Sequence, residues 1–286
     1  MHPIDTYIKT LRENLKGADP VLIQDAVFDA TEHLTRAMEE LMKESPGKDA
    51  ESSAVEAIAR YGTPEEIAGA YTNESPSSPP APSGSFAARF FGVIADGHTW
   101  GSFFYLLFSL ATGIFYFTWA VTGISLSLGF MVLVIGIPFM GLFLLSIRSI
   151  AVFEGRLIEW MLGYRMPRHP IIDVSKKGLW EQFKSWLSDG YTWSAMAFFI
   201  LMLPLGIIYF TLMVTFMSIS LAFMASPIVY FIFHHDPIQI HGFVVEPWVY
   251  YLLPIAGFLM FFLTLHLARA LGRLQSITAK SMLVKG

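Results

Sequence analysis

Apolar residues change their spacing along this chain near residue 86. Before Tyr71 they recur every three or four positions among acidic residues, as Tyr7, Ile8 and Leu11 do, which predicts amphipathic helices in a small soluble domain. After Phe86 they form continuous runs, each long enough to cross a hydrocarbon core about 30 Å thick. The pattern therefore predicts an all-α membrane protein that carries a helical domain at residues 1–73.

The soluble domain is predicted to contain several short helices with clear ends. One runs from Pro20 to Lys43 and another from Ala50 to Tyr61, with Gly62 as its left-handed cap. Thr63-Pro64-Glu65-Glu66 then combines an N-cap, a proline at the first helical position and a capping-box acid. Residues 74–85 are rich in Pro and Ser, so we expect an extended linker there.

The membrane region contains an internal repeat. Asp96-Gly97-His98-Thr99-Trp100 returns as Asp189-Gly190-Tyr191-Thr192-Trp193, and Gly113–Thr118 returns as Gly206–Thr211. Residues 86–162 and 179–286 are thus two related units, joined by a cytoplasmic connection at 163–178. Each unit is predicted to begin with an amphipathic helix that lies in the membrane interface or, alternatively, packs on the soluble domain. The predicted transmembrane helices are residues 102–123, 126–147, 195–216 and 249–267.

The second unit carries an insertion between its two spans. Ile228–Phe233 and Ile238–Val245 are rich in β-branched and aromatic residues and flank the turn-forming sequence His234-His235-Asp236-Pro237. These features predict an extracytoplasmic β-hairpin at residues 226–247 rather than a fifth span.

The basic residues predict the orientation. All 19 Lys and Arg lie in Met1–Arg89, Arg148–Lys184 and Arg269–Gly286, which four crossings would place on one side. By the positive-inside rule that side is the cytoplasm. Met1–Lys16 is polar and shows no signal peptide. We therefore expect a multi-pass protein of the cell membrane with both termini in the cytoplasm.

Most catalytic chemistry finds no support in the sequence. Cysteine is absent, and no glycine-rich phosphate loop or His-Glu-x-x-His motif occurs. The predicted spans contain no Asp, Glu, Lys or Arg in their middle, which disfavours an ion-coupled pump. The soluble domain is acidic, and that sign disfavours direct binding of nucleic acid. We expect no enzyme activity and no cofactor.

One cluster of metal-binding residue types occurs, in the insertion. Histidine with carboxylate suits a divalent metal such as zinc. The alternative is a solvent-exposed polar turn. In strand geometry the adjacent His234 and His235 would point to opposite faces, which weakens the case for a metal site. The candidate ligands are His234, His235, Asp236, His241 and Glu246.

Met1–Tyr71 resembles the HAAS domain, a small cytoplasmic helical module of bacterial and archaeal membrane proteins. The matching features are Tyr7-Ile8-x-x-Leu11, the acidic second helix and the closing run Tyr61–Ala68. The resemblance implies a role in signalling, often beside PadR-type transcription regulators, so a cytoplasmic protein partner is expected. A plain helix-to-helix turn would also explain the closing run. The candidate partner-binding residues are Tyr61, Gly62, Pro64, Glu65 and Glu66.

Phe86–Arg273 is similar to the four-span sensor domain at the N-terminus of many prokaryotic histidine kinases. The shared features are the Asp-x-x-Thr-Trp entry of each unit and a basic helix after each pair of spans. The kinase modules are missing here, so signal output by autophosphorylation is not expected.

These features together predict a sensor-like regulatory protein. It would relay a membrane or extracytoplasmic signal to a cytoplasmic partner through the N-terminal domain. The alternatives are a small transporter or permeability factor, and a membrane scaffold that only holds a partner at the lipid bilayer. Neither the stimulus nor the formation of a homo-oligomer follows from the sequence.

Overall fold

The structure is a computed structural model that describes residues 2–45, 49–73, 85–130, 136–167, 184, 187–232, 239–240, 243–244, 246 and 248–284. Its described part is predominantly helical, as predicted. The helices are α1 (Pro3–Asn14), α2 (Pro20–Glu44), α3 (Ala50–Tyr61), α4 (Pro64–Asn73), α5 (Phe86–Phe91), α6 (Gly97–Phe130), α7 (Gly136–Leu162), α8 (Gly190–Ile232) and α9 (Val249–Leu283).

Helices α1–α4 form the N-terminal domain, which we call the HAAS-like domain. Its core is a compact apolar cluster built around Leu11, Ala30 and Leu34, all fully buried. The N-terminus of α2 begins with Pro20 at its first position, while the Asp19 carboxylate accepts a hydrogen bond from the Val21 N–H at 3.0 Å. The amphipathic pattern therefore produces a small domain with its own hydrophobic core.

The junction of α3 and α4 has the caps that its sequence predicts. Gly62 adopts a φ of +111°, a conformation that L side chains rarely adopt. The Thr63 N–H donates to the Glu66 carboxylate at 3.0 Å, and the Glu66 N–H donates to the Thr63 hydroxyl at 3.3 Å, which confirms the capping box. Tyr7 donates from its hydroxyl to the Gly62 carbonyl, and burial raises the pKa of Tyr7 to about 12.

The short helix α5 and the 3₁₀ turn Gly92–Ala95 pack on α9. Phe90 stacks on Phe262, and Val93 is buried beside Leu265. Part of the apolar face thus meets a helix of the bundle rather than the HAAS-like domain, and the position in the membrane interface stays a prediction. The equivalent helix predicted at 179–188 lies mostly outside the described residues.

Helices α6, α7, α8 and α9 are each long and apolar enough to cross a membrane. Their ends differ from the predicted spans. Helix α6 continues past Gly123 to Phe130, so the second helix begins at Gly136 rather than at residue 126. Gly123 does not mark a turn because it packs against the Phe143 ring, where a Cβ would lie only 1.9 Å from Cε2. Close helix packing explains this glycine.

The predicted hairpin at 226–247 is wrong in its first strand. Ile228–Ile232 continues α8, a helix about 65 Å long at 1.5 Å per residue. The helix is held there by α9, because the Ser226 hydroxyl donates to the Tyr250 carbonyl and Tyr230 stacks on Tyr250. A shorter antiparallel pair joins β1 (Gln239–Ile240) to β2 (Phe243–Val244). The predicted turn lies outside the described residues.

Helices α6 and α8, which are repeat partners, cross in opposite directions. A Cβ on Gly113 would lie 2.5 Å from the Met202 carbonyl, and one on Gly206 would lie 2.4 Å from the Ser109 carbonyl. Since contacts later in α6 meet residues earlier in α8, the two helices are antiparallel. The charge pattern predicts the same direction for both, so the packing differs from that expectation.

Candidate functional site

A carboxylate lies buried inside the helix bundle. Glu154 of α7 is fully buried, and its two oxygens accept hydrogen bonds from two tyrosines of α6. The Tyr105 hydroxyl donates to Oε1, and the Tyr116 hydroxyl donates to Oε2 at 2.7 Å. Within the described part of the chain, no Lys, Arg or His pairs with Glu154. Two hydroxyl groups thus take the place of the cation that usually accompanies a buried carboxylate.

This network extends to α8 and α9 through Gln275. The Gln275 amide donates to the Tyr105 hydroxyl oxygen at 3.2 Å and to the Met202 sulfur at 3.0 Å. Tyr209 in turn donates to the Gln275 side-chain carbonyl at 3.3 Å. Gln275 is fully buried, so all four long helices meet at a single polar cluster. We call it the Glu154 network.

Helix α7 therefore carries a buried carboxylate beyond residue 147, where the predicted second span ends. From the sequence alone, Arg148 and Glu154 belong to a basic helix that follows a shorter span. In the structure, α7 runs without interruption from Gly136 to Leu162. The spacing carried a usable signal, since Ile147, Ala151, Glu154 and Ile158 recur every three or four positions on the buried face. The partners in α6 could not be read from that spacing.

Each repeat unit contributes an aspartate to an ion pair with the other unit. Asp96, before α6, pairs with Arg269 of α9, and Asp189, before α8, pairs with Arg148 of α7 at 2.9 Å. The side chain of Arg148 is 2% exposed, whereas that of Arg269 is 29% exposed. The two pairs have equivalent aspartates but unequal burial, so they hold the units together with different strength.

The repeated Asp-x-x-Thr-Trp entry has a structural explanation. Thr99 donates from its hydroxyl to Asp96 at 2.7 Å, and the Trp100 indole donates to the Ile94 carbonyl at 2.8 Å. In the second unit the Trp193 indole makes the equivalent bond to the Leu187 carbonyl at 2.9 Å. The motif therefore shapes the chain at the start of each long helix and aims its aspartate at the other unit.

The HAAS-like domain contacts the bundle through two ion pairs. Asp19, at the N-terminus of α2, meets Lys280 of α9 at 2.7 Å. Asp25, in the next turn of α2, lies 3.6 Å from Arg165, which follows α7. Asp25 is 2% exposed, so this contact excludes most solvent. We call this the docking interface.

The docking interface lies close to the Glu154 network. Arg165 precedes Met166, which is fully buried and packs against Gly155, the neighbour of Glu154. Lys280 lies on the same helix as Gln275, little more than one turn further on. One cation is therefore next to a residue that packs beside Glu154, and the other lies on the helix that carries Gln275.

The metal candidates remain a prediction. His234, His235, Asp236 and His241 lie outside the described residues, and Glu246 is exposed. Among the described residues, no group of three or more His, Cys, Asp or Glu could hold a metal ion.

The partner-binding candidates have internal roles in addition to any external one. Gly62 and Glu66 form the caps described above, Pro64 begins α4, and Tyr61 packs against Tyr7 and His33. Glu65 accepts a hydrogen bond from Asn14 at 3.1 Å and is exposed, as is Glu66. The two glutamates are thus the most exposed members of the set.

Two family models match the chain, in the order that the resemblances imply. The model named Sensor, described as Putative sensor, matches residues 105–283, and the model named HAAS matches residues 6–70. Both are non-catalytic regulatory families, and HAAS domains generally mediate protein–protein interactions. Neither the curated proteins nor the solved structures that were searched gave a match.

Proposed function

The chain belongs to the Sensor family and carries a HAAS domain, and we propose that this membrane regulator relays a signal by docking and releasing that domain. The docking interface carries the proposal. It joins the soluble domain to the segment that directly follows the first repeat unit, through Arg165, and to the second repeat unit, through Lys280 in α9. A change in how the units pack would move these two cations relative to each other and so weaken their ion pairs with Asp19 and Asp25.

Removing both docking cations should release the HAAS-like domain. The Asp19–Lys280 pair is partly shielded from solvent and contributes about 1 kcal/mol. The Asp25–Arg165 pair is buried, so losing its cation should cost about 3 kcal/mol. Losing both should shift the docking equilibrium on the order of a thousandfold. We expect the double variant Arg165→Ala, Lys280→Ala to lose most energy transfer between fluorophores on cysteines replacing Glu51 and Ile277. Both positions are exposed, and the chain has no cysteine of its own.

Arg156→Ala is the matched control for this experiment. It removes the same charge from α7, but Arg156 is 50% exposed and pairs with Glu159 of its own helix. Energy transfer in this variant should equal that of the parent protein. Equal transfer in the double variant as well would contradict the proposal that these ion pairs hold the domain.

We place the protein in the cell membrane with both termini in the cytoplasm, a proposal that the distribution of Lys and Arg supports. Single cysteines at Glu51 and Glu246 should then react with an impermeant maleimide from opposite sides of the membrane. A third cysteine at Gly129, near the end of α6, distinguishes two arrangements. The distribution of Lys and Arg places it on the same side as Glu246, whereas the antiparallel packing of α6 and α8 places it on the opposite side. Reaction from the side of Glu51 would instead show that the two hairpins insert in opposite directions, as α6 and α8 run.

We propose that the released HAAS-like domain binds a cytoplasmic protein partner, to which Glu65 and Glu66 present exposed carboxylates. A transcription regulator fits the family resemblance. The scaffold alternative predicts that partner capture is independent of docking. Capture should therefore be compared between the parent protein and the Arg165→Ala, Lys280→Ala variant, and equal capture would favour the scaffold.

A small transporter is the second candidate, and the Glu154 network favours it. The argument against transport is the lack of ionisable residues in the middle of the predicted spans, and Glu154 supplies an ionisable residue inside the bundle of long helices. Repeat units that pack antiparallel, as α6 and α8 do, are also found in many secondary transporters. Proton-driven flux in vesicles that disappears in Glu154→Gln would support this candidate over the regulator.

A further inference from the structure

The carboxyl group of Glu154 is the titratable group at the centre of the bundle, and the relay proposed above leaves it without a role. We propose that Glu154 exchanges a proton with its surroundings and that its protonation state controls docking of the HAAS-like domain. Protonation would be the stimulus, or part of it, for this regulator. The inference rests on the proposed docking function and adds the group that regulates it.

The hydrogen-bond partners in the network suit an ionised Glu154 carboxylate. Gln275 donates to the Tyr105 oxygen, so the Tyr105 proton is directed to Glu154 Oε1, and Tyr116 donates to Oε2. Both carboxylate oxygens act as acceptors, which is the pattern of an ionised carboxylate. The arrangement therefore accommodates the deprotonated form, with one hydroxyl group available as a donor to each carboxylate oxygen.

Proton uptake would rearrange this pattern. A protonated carboxyl oxygen becomes a donor, so one tyrosine hydroxyl must lose its acceptor or reverse its direction. Bonds to a charged group are roughly twice as strong as neutral ones, so the remaining bonds also weaken. Because Tyr105 connects Glu154 to Gln275, the change affects the contact between α6, α7 and α9 together.

The groups that face Glu154 are hydroxyls and an amide, so Glu154 is the group whose charge would change with pH. From α6 come the hydroxyls of Tyr105 and Tyr116, from α9 comes the uncharged amide of Gln275, and from α8 Tyr209 lies behind that amide. In the described residues no Lys, Arg or His from any of these helices contacts it. An ionisable side chain in this position within a membrane bundle is typical of proton relays and functional sites.

The route from Glu154 to the docking interface is short on both sides. Met166 packs against Gly155, which is the residue after Glu154. Met166 is preceded in the chain by Arg165, which pairs with Asp25. Gln275 and Lys280 share α9. Loosening the network therefore displaces both cations that hold Asp19 and Asp25, and we expect acid pH to favour release.

Two measurements test the proposal on the full-length protein in lipid vesicles. The first follows the infrared carbonyl stretch of a protonated carboxylic acid between about pH 5 and about pH 9. A band that appears on acidification and is missing in Glu154→Gln is the expected result. Tyr116→Phe removes one donor to the ionised form and should move the midpoint of that band toward higher pH. A spectrum identical in parent and Glu154→Gln at every pH would overturn the proposal.

The second measurement follows docking, by energy transfer between labels at positions 51 and 277. We expect acid pH to lower the docked fraction of the parent at least about threefold, and Glu154→Gln to show a low fraction that does not change with pH. Gln mimics the neutral acid, so the variant should resemble the acid form. Glu159→Gln, on the same helix but 29% exposed, is the matched control and should behave as the parent does.

The outcomes separate this inference from the proposed function. Docking that requires Arg165 and Lys280 but is equal at every pH would overturn proton control and leave the docking function in place. A titrating Glu154 without any docking that depends on those cations would overturn the regulator proposal and the inference together, and would favour the transporter. Folding of Glu154→Gln is checked by its elution from a sizing column as a single species in detergent and by a thermal unfolding transition like that of Glu159→Gln.

Discussion

Replacing Arg148 with methionine should destabilise the membrane bundle far more than the same change at Arg269. Arg148 donates to Asp189 and to the Thr192 hydroxyl, both at 2.9 Å, and lies over the Tyr191 ring. Removing one partner of a buried pair leaves the other charge unpaired in a place with little solvent, at a typical cost of about 3–5 kcal/mol. Unfolding in mixed micelles, followed by tryptophan fluorescence, would measure this loss.

Arg269→Met is the matched comparison, because its pair uses the equivalent aspartate of the other unit. The Asp96–Arg269 pair is more exposed, with 25% and 29% of its side chains open to solvent. Solvent screens such a pair, and its loss should cost about 1 kcal/mol. The double variant Arg148→Met, Asp189→Leu should recover most of the loss at the buried site. Equal losses of stability at Arg148 and Arg269 would show that their difference in burial does not affect the free energy of unfolding.

Much of the HAAS-like domain could be predicted from its sequence, because its signals are local. Pro20 begins α2, Ala50–Tyr61 is the observed extent of α3, and the Thr63–Glu66 capping box forms as expected. Such caps depend on residues within one turn, so the chain itself contains the information. The four long apolar helices are predictable for the same reason, since length and composition decide them.

The Glu154 network could not be predicted because its partners are distant in the sequence. Tyr105 and Tyr116 lie 49 and 38 residues away from Glu154, and nothing in the spacing of any single helix brings them together. The neighbouring arginines also led to the expectation that this segment is solvated. A glutamate beside Arg148 and Arg156 is typical of a solvated helix, while tertiary packing in this protein buries it among hydroxyl groups.

The error at residues 228–232 has a different physical origin. β-branched and aromatic residues fit a strand, but the same residues are tolerated in a helix whose sides are covered by apolar neighbours. Tyr230 packs face to face with Tyr250 at 4.5 Å, and Ser220 donates to the Gly257 carbonyl at 2.8 Å. Contacts with α9 therefore decide the conformation of this segment over its local preference.

Leucine at Gly113 or Gly206 should separate the two repeat units. The backbones of α6 and α8 touch at these glycines, where even a Cβ would lie 2.5 Å and 2.4 Å from carbonyl oxygens of the opposite helix. Carbonyl groups held in a helix cannot move aside as a flexible side chain can. Overpacking of this kind costs about 1–3 kcal/mol for a small addition, and leucine should exceed that range. Thermal unfolding in detergent would show the loss.

Gly129→Leu is the control that isolates this effect. Gly129 also lies in α6, and a Cβ there would meet nothing within 4 Å, so the substitution adds the same side chain to open space. We expect the unfolding temperature to stay the same or to rise slightly, because leucine is favoured over glycine within a helix by up to about 1 kcal/mol. Gly113→Ala should lie between the two, since it adds only the clashing Cβ. If Gly113→Leu unfolds at the same temperature as Gly129→Leu, α6 and α8 do not touch at this crossing, and the route from the Glu154 network through both units is lost with it.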